Sequence, residues 1–410
     1  MTMTQPIRTS VAGPTGVRRL FAAPAPDLAS HLAAFGPMPA AFDEGHLIAE
    51  LDDSGLTGRG GAAFPTWRKL IAAAESVPSK RGPAVVIANG AEGEPLSRKD
   101  ATLLRSAPHL VLDGLLLAAA TIRAGDVVLY APASSFEPVA RAIAERPDAG
   151  RVRLVAARDT FLSGEASAVV SAVGGGPAIP RDHPARLTDA GLRGAPTLVQ
   201  NVETLAHVAL LARFGATWFR QAGTPDDPGT RLVSLSGDLP VPAVFEVPGG
   251  VPLADALGAA GASVDGLRAV LVGGYHGAWV PASALSTRLS MQELAPFGAT
   301  PGAGILMALG THRCGLDAAA EIAAYLAGQS ARQCGPCANG LPRLADVLRR
   351  LAARDRAEWL PGEVDRLARL VAGRGSCHHP DGTSRMVLSA LTVFADDVRE
   401  HLAGRCVVTS

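Results

Sequence analysis

From Gly45 to about Phe219, short β-branched runs alternate with helical patterns, and this alternation limits the fold more than any other feature of the chain. AVVIAN (84–89), DVVLYA (126–131) and VRLVAA (152–157) are apolar almost throughout, as strands covered on both faces are. Segments between them, such as HLVLDGLLLAAATIRAG (109–125), are long enough for helices. The pattern predicts an α/β layout around a largely buried sheet. With 410 residues, 48% of them hydrophobic, there is material for two or three domains with sizeable cores.

The rest of the chain has a different character. Residues 1 to about 45 are rich in Pro, Ala and Gly and read as an irregular arm ending in a short helix. Between 228 and 300, RLVSLSGDLPVPAVFEVPGG offers two strands around a Pro-rich turn, PLADALGAAG a short helix and LRAVLVGGYHGAWV a further strand pair, which predicts a small α+β module. After Gly310, GLPRLADVLRRLAAR, LPGEVDRLARLVAG and RMVLSALTVFADDVREHL place apolar residues at i, i+3, i+4 and i+7, the signature of a helical bundle. The 38 Lys and Arg balance 38 Asp and Glu, so no net field recruits nucleic acid or anionic lipid. The start lacks a basic region followed by an apolar one, and the best apolar run, 115–122, is far short of a membrane span. Five cysteines are too few for a disulfide framework. These features predict a cytoplasmic protein with no direct membrane insertion.

Four loops and a cysteine pair can carry chemistry. TGRGGAAFPTWRKL (57–70) groups Gly58, Gly60 and Gly61 around Arg59. Bare backbone there lets N–H groups approach a phosphate or a flat ring ahead of a helix, although a tight structural turn uses glycine in the same way. Lys69 follows in a chain whose other lysines are Lys80 and Lys99 alone. IANGAEGEPLSRKD (87–100) sets Glu92, Glu94, Lys99 and Asp100 behind a buried strand, where α/β folds place ligand loops, or else forms a solvated loop with a local salt bridge. FLSGEASAVVSAVGGGPAIPR (161–181) holds Gly164 and Glu165, and GAPTLVQNVETLAHV (194–208) holds Asn201, Glu203 and Thr204. Polar groups at such helix starts bind a phosphate or ring edge, or cap the helix. CGPCANG (334–340) and Cys377 supply three thiolates for iron–sulfur or zinc, which ordinarily take four ligands, while Cys314 and Cys406 read as small buried hydrophobes.

In this order, GRGGAAFPTWRK, NGAEGEP, FLSGEASA, GAPTLVQNVETLAHV, GTRLVSLSGDLPVPAVFEVPGG and CGPCANG, spread over residues 52 to 405, resemble the flavin-bearing, NADH-oxidising subunit of respiratory complex I and its relatives in soluble NAD-linked hydrogenases and formate dehydrogenases. The resemblance implies an N-terminal arm (1–45), a Rossmann-like α/β domain binding FMN and NADH (46–225), a ubiquitin-like β-grasp module of the SLBB type (226–305) and a C-terminal helical bundle holding a [4Fe–4S] cluster (306–410). By position, Gly58, Arg59, Gly60, Gly61 and Lys69 would hold the FMN phosphate and ring, with Asn89, Asn201 and Thr204 closing round the flavin and Phe64 stacking on NADH. Glu92 and Glu94 would face the flavin and the NADH ribose, and Gly164 and Glu165 the far side of the ring. Glu92 and Glu165 are then the expected catalytic pair, and Cys334, Cys337 and Cys377 the cluster ligands. The implied activity is an FMN-dependent NADH dehydrogenase that passes single electrons to a ferredoxin-like partner or to other subunits of a complex. A cluster-free diaphorase and a non-catalytic scaffold are the alternatives.

The pattern breaks at four positions. Ala91 and Ala166 stand where the family carries acids, and fewer negative charges beside the flavin predict a higher flavin potential than in relatives that keep both. Trp67 replaces a glycine and adds bulk expected near the pocket entrance. Ala331 stands at the first cysteine of the family's CxxCxxC. That leaves Ser330, Gln333, His378 or His379 as a fourth ligand, an open iron, or no cluster.

Overall fold

The computed structural model describes residues 16–39, 43–76, 82–181 and 185–408. The chain divides into two compact units: one runs to Ser234 and takes back Val244–Val251, and the other comprises Leu235–Ala243 and the chain from Pro252 onward.

In the first unit, helices α1 (Leu28–Phe35), α2 (Glu44–Ser54) and α3 (Thr66–Glu75) precede strand β1 (Val85–Asn89). There follow α4 (Lys99–Ser106), α5 (Pro108–Thr121), β2 (Asp126–Ala131), α6 (Phe136–Ala144), β3 (Val152–Ala156), α7 (Ala166–Val173), β4 (Thr197–Asn201) and α8 (Val202–Arg220). The four strands are parallel in the order β3-β2-β1-β4. Each face is covered: Val86, Ala88, Val127 and Leu129 join the core that α5 and α8 complete, while Val85, Ile87, Val128 and Tyr130 pack with Val169 and Val173 of α7. Continuous apolar runs are the consequence of that double burial.

The strand order fixes where a ligand belongs. From β1 the chain moves outward through β2 to β3 and then returns to the opposite side of β1 for β4, so connections diverge at the β1–β4 junction. In open α/β sheets the crevice beyond the carboxyl ends at such a junction is the binding position. Asn89 and Asn201, the last residues of β1 and β4, are register partners there.

Strand β5 (Thr230–Gly237) leads into the second unit and β6 (Ala243–Pro248) leads back. Beyond them lie α9 (Leu253–Ala259), β7 (Leu267–Val272), β8 (Ala278–Pro281), α10 (Met291–Leu294) and β9 (Ile305–Gly310). Strand β7 pairs antiparallel with both β8 and β9. The chain then becomes helical: α11 (Gly315–Gly328), α12 (Leu341–Ala352), α13 (Leu360–Val371), α14 (His379–Val393) and α15 (Ala395–Leu402). The sequence pattern suggests three helices here. The third is broken at Phe394, whose backbone leaves the helical region, and the Ala-rich α11 carries too weak a stripe to stand out. No single described helix is long and apolar enough to cross a membrane.

Candidate functional site

The glycine loop forms a closed turn. Gly58 N–H donates to Phe64 O at 2.9 Å, and Gly61 has φ 115°, a conformation that residues with a Cβ disfavour. Helix α3 starts directly behind it with Pro65 ahead and no side-chain cap, and Thr66 Oγ1 is buried without a partner. A helix start of this kind, beside bare backbone, suits an anion. Phe64 is 52% exposed, presenting an aromatic face to water beside the loop. Lys69, one turn into α3, donates from Nζ to Val199 O at 2.5 Å, and burial lowers its pKa to about 8.

Hydrogen bonds gather the other loops at the β1–β4 junction. Asn89 Nδ2 donates to Gly164 O at 2.9 Å and its Oδ1 accepts from Ala91 N at 3.2 Å. Asn201 Nδ2 donates to Asp100 Oδ2 at 2.8 Å and to Asn89 O at 3.3 Å, while its Oδ1 caps α8 by accepting from Glu203 N at 3.0 Å. Arg59 N donates to Thr204 Oγ1 at 2.8 Å, and a Cβ on Gly60 would stand 3.2 Å from Asn201 Cβ. Residues 58–61, 89–94, 164–165 and 201–204 therefore meet at one edge of the sheet.

Both expected catalytic glutamates cap helices. Glu92 accepts from Ser97 Oγ at 2.6 Å, Asp100 N at 2.9 Å and Ala101 N at 3.0 Å at the start of α4. Glu165 is the N-cap of α7, accepting from Ser167 N at 2.9 Å, Ala168 N at 3.0 Å and the Ser167 hydroxyl. The capping role read for Glu165 and Asn201 is real, and it fixes these groups at the positive ends of helices. Glu94 is half-buried in the same loop as Glu92.

Beneath this edge lies a buried ionic cluster that the sequence motifs contain but do not reveal as a unit. Lys99 Nζ is 2.8 Å from Asp100 Oδ1 and 2.8 Å from Glu203 Oε2. Burial disfavours the charge on Lys99, but Asp100 and Glu203 outweigh it and raise its pKa. Burial also pushes the Asp100 carboxyl up to about 7 against the pull of Lys99, with Glu92 and Glu203 adding negative charge. Through Asp100 and the cap of α8, the cluster sets the orientation of Asn201.

The Arg59 guanidinium does not lie along the glycine loop; it donates to Pro228 O at 3.3 Å and Thr230 O at 3.1 Å and sits 3.6 Å from Asp227. Asp227, whose two carboxylate oxygens both accept from Arg231 Nη2 at 2.7 Å, carries no signal in the sequence that would have marked it. Trp67, partly buried, packs against the core of the first unit.

In the second unit, Cys334 and Cys337 flank the start of a π-helical turn, Pro336–Gly340. Burial, followed by the neighbouring sulfurs of Cys334 and Cys377, pushes the Cys337 thiol up to about 12. Three such thiolates match three corners of an iron–sulfur cluster. Of the candidates for a fourth ligand, His379 has both ring nitrogens engaged, Nδ1 2.9 Å from His276 Nε2 and Nε2 2.8 Å from Leu326 O. His378 is exposed with Nδ1 2.9 Å from Asp381 Oδ2, and Ser330 Oγ donates to Cys337 O at 3.3 Å.

Comparison with known proteins finds relatives along most of the chain. Residues 51–210 match the Nuo51 FMN-binding domain, and residues 317–401 match the NADH-ubiquinone oxidoreductase-F iron-sulfur binding region. The F-type NADH-quinone oxidoreductase subunit of Mycobacterium bovis is 30% identical over 382 residues, covering 87% of this chain and 85% of that protein. An F-type NADH-quinone oxidoreductase subunit of Rhizobium meliloti, the second of that organism by its name, is 29% identical over 379 residues, covering 88% and 89%. Among solved structures, an NAD+-reducing [NiFe]-hydrogenase in the H2-reduced state aligns with a TM-score of 0.79 at 30% identity over 89% of this chain. The chain spans 63% of that hydrogenase chain.

Proposed function

The chain belongs to the family of F-type NADH-quinone oxidoreductase subunits, and we propose that it works as an FMN-dependent NADH dehydrogenase that takes hydride from NADH and passes single electrons through an iron–sulfur cluster to a partner protein. The observation that carries this reading is the convergence of the glycine loop, the uncapped start of α3 and the Asn89–Asn201 pair at the β1–β4 junction. FMN supplies a two-electron acceptor that can release electrons singly, and the cluster supplies a one-electron relay.

The chain's own residues bind and orient. Backbone at Gly58, Arg59, Gly60 and Gly61, with Lys69, would hold the phosphate and one edge of the ring. Asn89, Asn201 and Thr204 would close round the flavin, and Phe64 would stack on NADH. Glu92 and Glu94 would meet the flavin and ribose side, with Gly164 and Glu165 on the opposite side. Held as caps, Glu92 and Glu165 would contribute fixed direction rather than mobility. Cys334, Cys337 and Cys377 would carry the cluster. The division into an arm (1–45), a flavin domain (46–225), a β-grasp module (226–305) and an iron–sulfur bundle (306–410) belongs to the same proposal. It is supported by two strands, a short helix and antiparallel strands in that order, followed by helices. A ferredoxin-like protein or a neighbouring subunit is the fitting acceptor. A reducing, cytoplasmic setting suits five free cysteines.

Activity assays of anaerobically purified protein test the proposal. FMN should be extractable at about one per chain, and NADH should be oxidised with ferricyanide or a ferredoxin as acceptor. Protein that takes up no FMN and oxidises no NADH would support the scaffold reading instead.

A further inference from the structure

Helix α15 presents Asp397 and His401, four residues apart on one face, both fully buried. Cys314, the N-cap of α11, and Cys406, in the tail beyond α15, close on the same point, and the four ligand atoms lie within 4.8 Å of one another. We propose that Cys314, Asp397, His401 and Cys406 form a tetrahedral zinc site, separate from the Cys334, Cys337 and Cys377 centre, that fastens the C-terminal tail to the start of α11.

The spacing is that of ligands sharing one ion. Bonds of about 2.3 Å to sulfur and about 2.0 Å to nitrogen or oxygen, opened to the tetrahedral angle, separate the ligand atoms by about 3.5 Å. Cys314 Sγ is 3.5 Å from His401 Nε2 and 3.5 Å from Asp397 Oδ1. The surroundings orient the ligands. His401 Nδ1 is 3.1 Å from Leu351 O on α12, which fixes the proton on Nδ1 and aims the Nε2 lone pair at Cys314. Arg268, on β7, grips Asp397 with Nη1 3.1 Å from Oδ1 and Nη2 2.5 Å from Oδ2. Beyond α15 the chain turns at Gly404, with φ 79°, which brings Cys406 back towards Cys314.

Charge and ligand type select the ion. Two thiolates and one carboxylate around a dication leave one negative charge, which the Arg268 guanidinium balances, so the buried site is neutral as a whole. Sulfur ligands disfavour magnesium and calcium, and a mixed thiolate, imidazole and carboxylate set in a tetrahedron suits zinc. Uptake would release the two thiol protons and involve no electron transfer.

Metal analysis and zinc-edge X-ray absorption on the full chain, purified anaerobically and supplied with Zn2+, test the site. The expected result is about one zinc per chain in a shell of two sulfurs and two lighter atoms. Zinc should fall at least about tenfold in Cys406→Ser and in His401→Ala, while Cys337→Ser lowers iron and leaves zinc in place. Wild-type protein that stays zinc-free, a Cys314–Cys406 disulfide in that preparation, or zinc that survives both substitutions would overturn the proposal.

Discussion

Lys69 holds its ammonium half-buried against the Val199 carbonyl, and burial has lowered its pKa to about 8. A bound phosphate would favour the charged form and raise that value. FMN binding should therefore take up a proton near pH 8, and affinity should decline as the pH rises from about 8 towards the higher pKa of the bound state. Calorimetry in buffers of different ionisation enthalpy measures the uptake. Lys69→Met should weaken FMN binding roughly 10- to 100-fold and abolish the proton uptake; uptake that persists in the variant would move the phosphate elsewhere. At this scale the sequence names candidate residues wherever a short motif stands out, as with Phe64, Asn89 and Asn201. It was silent on direction. Nothing in GRGG says that Arg59 offers its backbone to the loop and its side chain to the carbonyls of Pro228 and Thr230. Nor does a pattern link Lys99 and Asp100 to Glu203, about a hundred residues on, before the chain has folded.

Helices α5 and α8 pack backbone to backbone. A Cβ on Gly114 would stand 1.8 Å from Leu205 O, so Gly114→Ala should destabilise the protein by at least about 1–3 kcal/mol in urea unfolding. Gly258→Ala, at an exposed helical position with open space around it, should be neutral or stabilising by about 0.5 kcal/mol. Equal effects would mean that the close approach is not real. The neighbouring Asp113 ties together four segments of the first unit, accepting from His31 at 2.9 Å, Arg146 at 2.6 Å and Arg213 at 2.7 Å. Burial opposes its charge, but His31, Arg213 and Arg146 outweigh burial and hold its pKa at about 2. A depressed carboxylate stabilises above the unfolded pKa of about 4 and loses that contribution as the pH falls through about 2, here about 2 kcal/mol. Asp113→Asn should cost about 3–5 kcal/mol at pH 7, since it removes the carboxylate from the buried Arg213 guanidinium and leaves the half-buried Arg146 with Asp148 alone, with the gap to wild type narrowing as the pH falls towards 2. A gap independent of pH would contradict the assignment. Periodicity made α5 legible as an element; its partners were not, because they come from three other places in the chain.

At the scale of the whole molecule, the order of β-runs and helices foretold an α/β layout with a largely buried sheet, and the sheet's strand order then explains why motifs so far apart in sequence share one edge. The cysteines were legible only in part. CGPC announces itself, whereas Cys314, Asp397, His401 and Cys406 become a group only through the fold. Electron exit separates the dehydrogenase from its cluster-free alternative. Cys337→Ser should lower iron content and cut electron transfer to a ferredoxin at least about tenfold, while ferricyanide, able to draw on the flavin directly, is still reduced. Equal rates with both acceptors would place the cluster outside the path. The most direct measurement of the central claim is an anaerobic titration of FMN-loaded protein with NADH, followed by visible absorption. Hydride transfer from NADH to the bound flavin predicts that the flavin bands bleach stoichiometrically with NADH, beside a broad iron–sulfur shoulder that Cys337→Ser removes. Flavin bands that bind to the protein yet stay unbleached by NADH would contradict it.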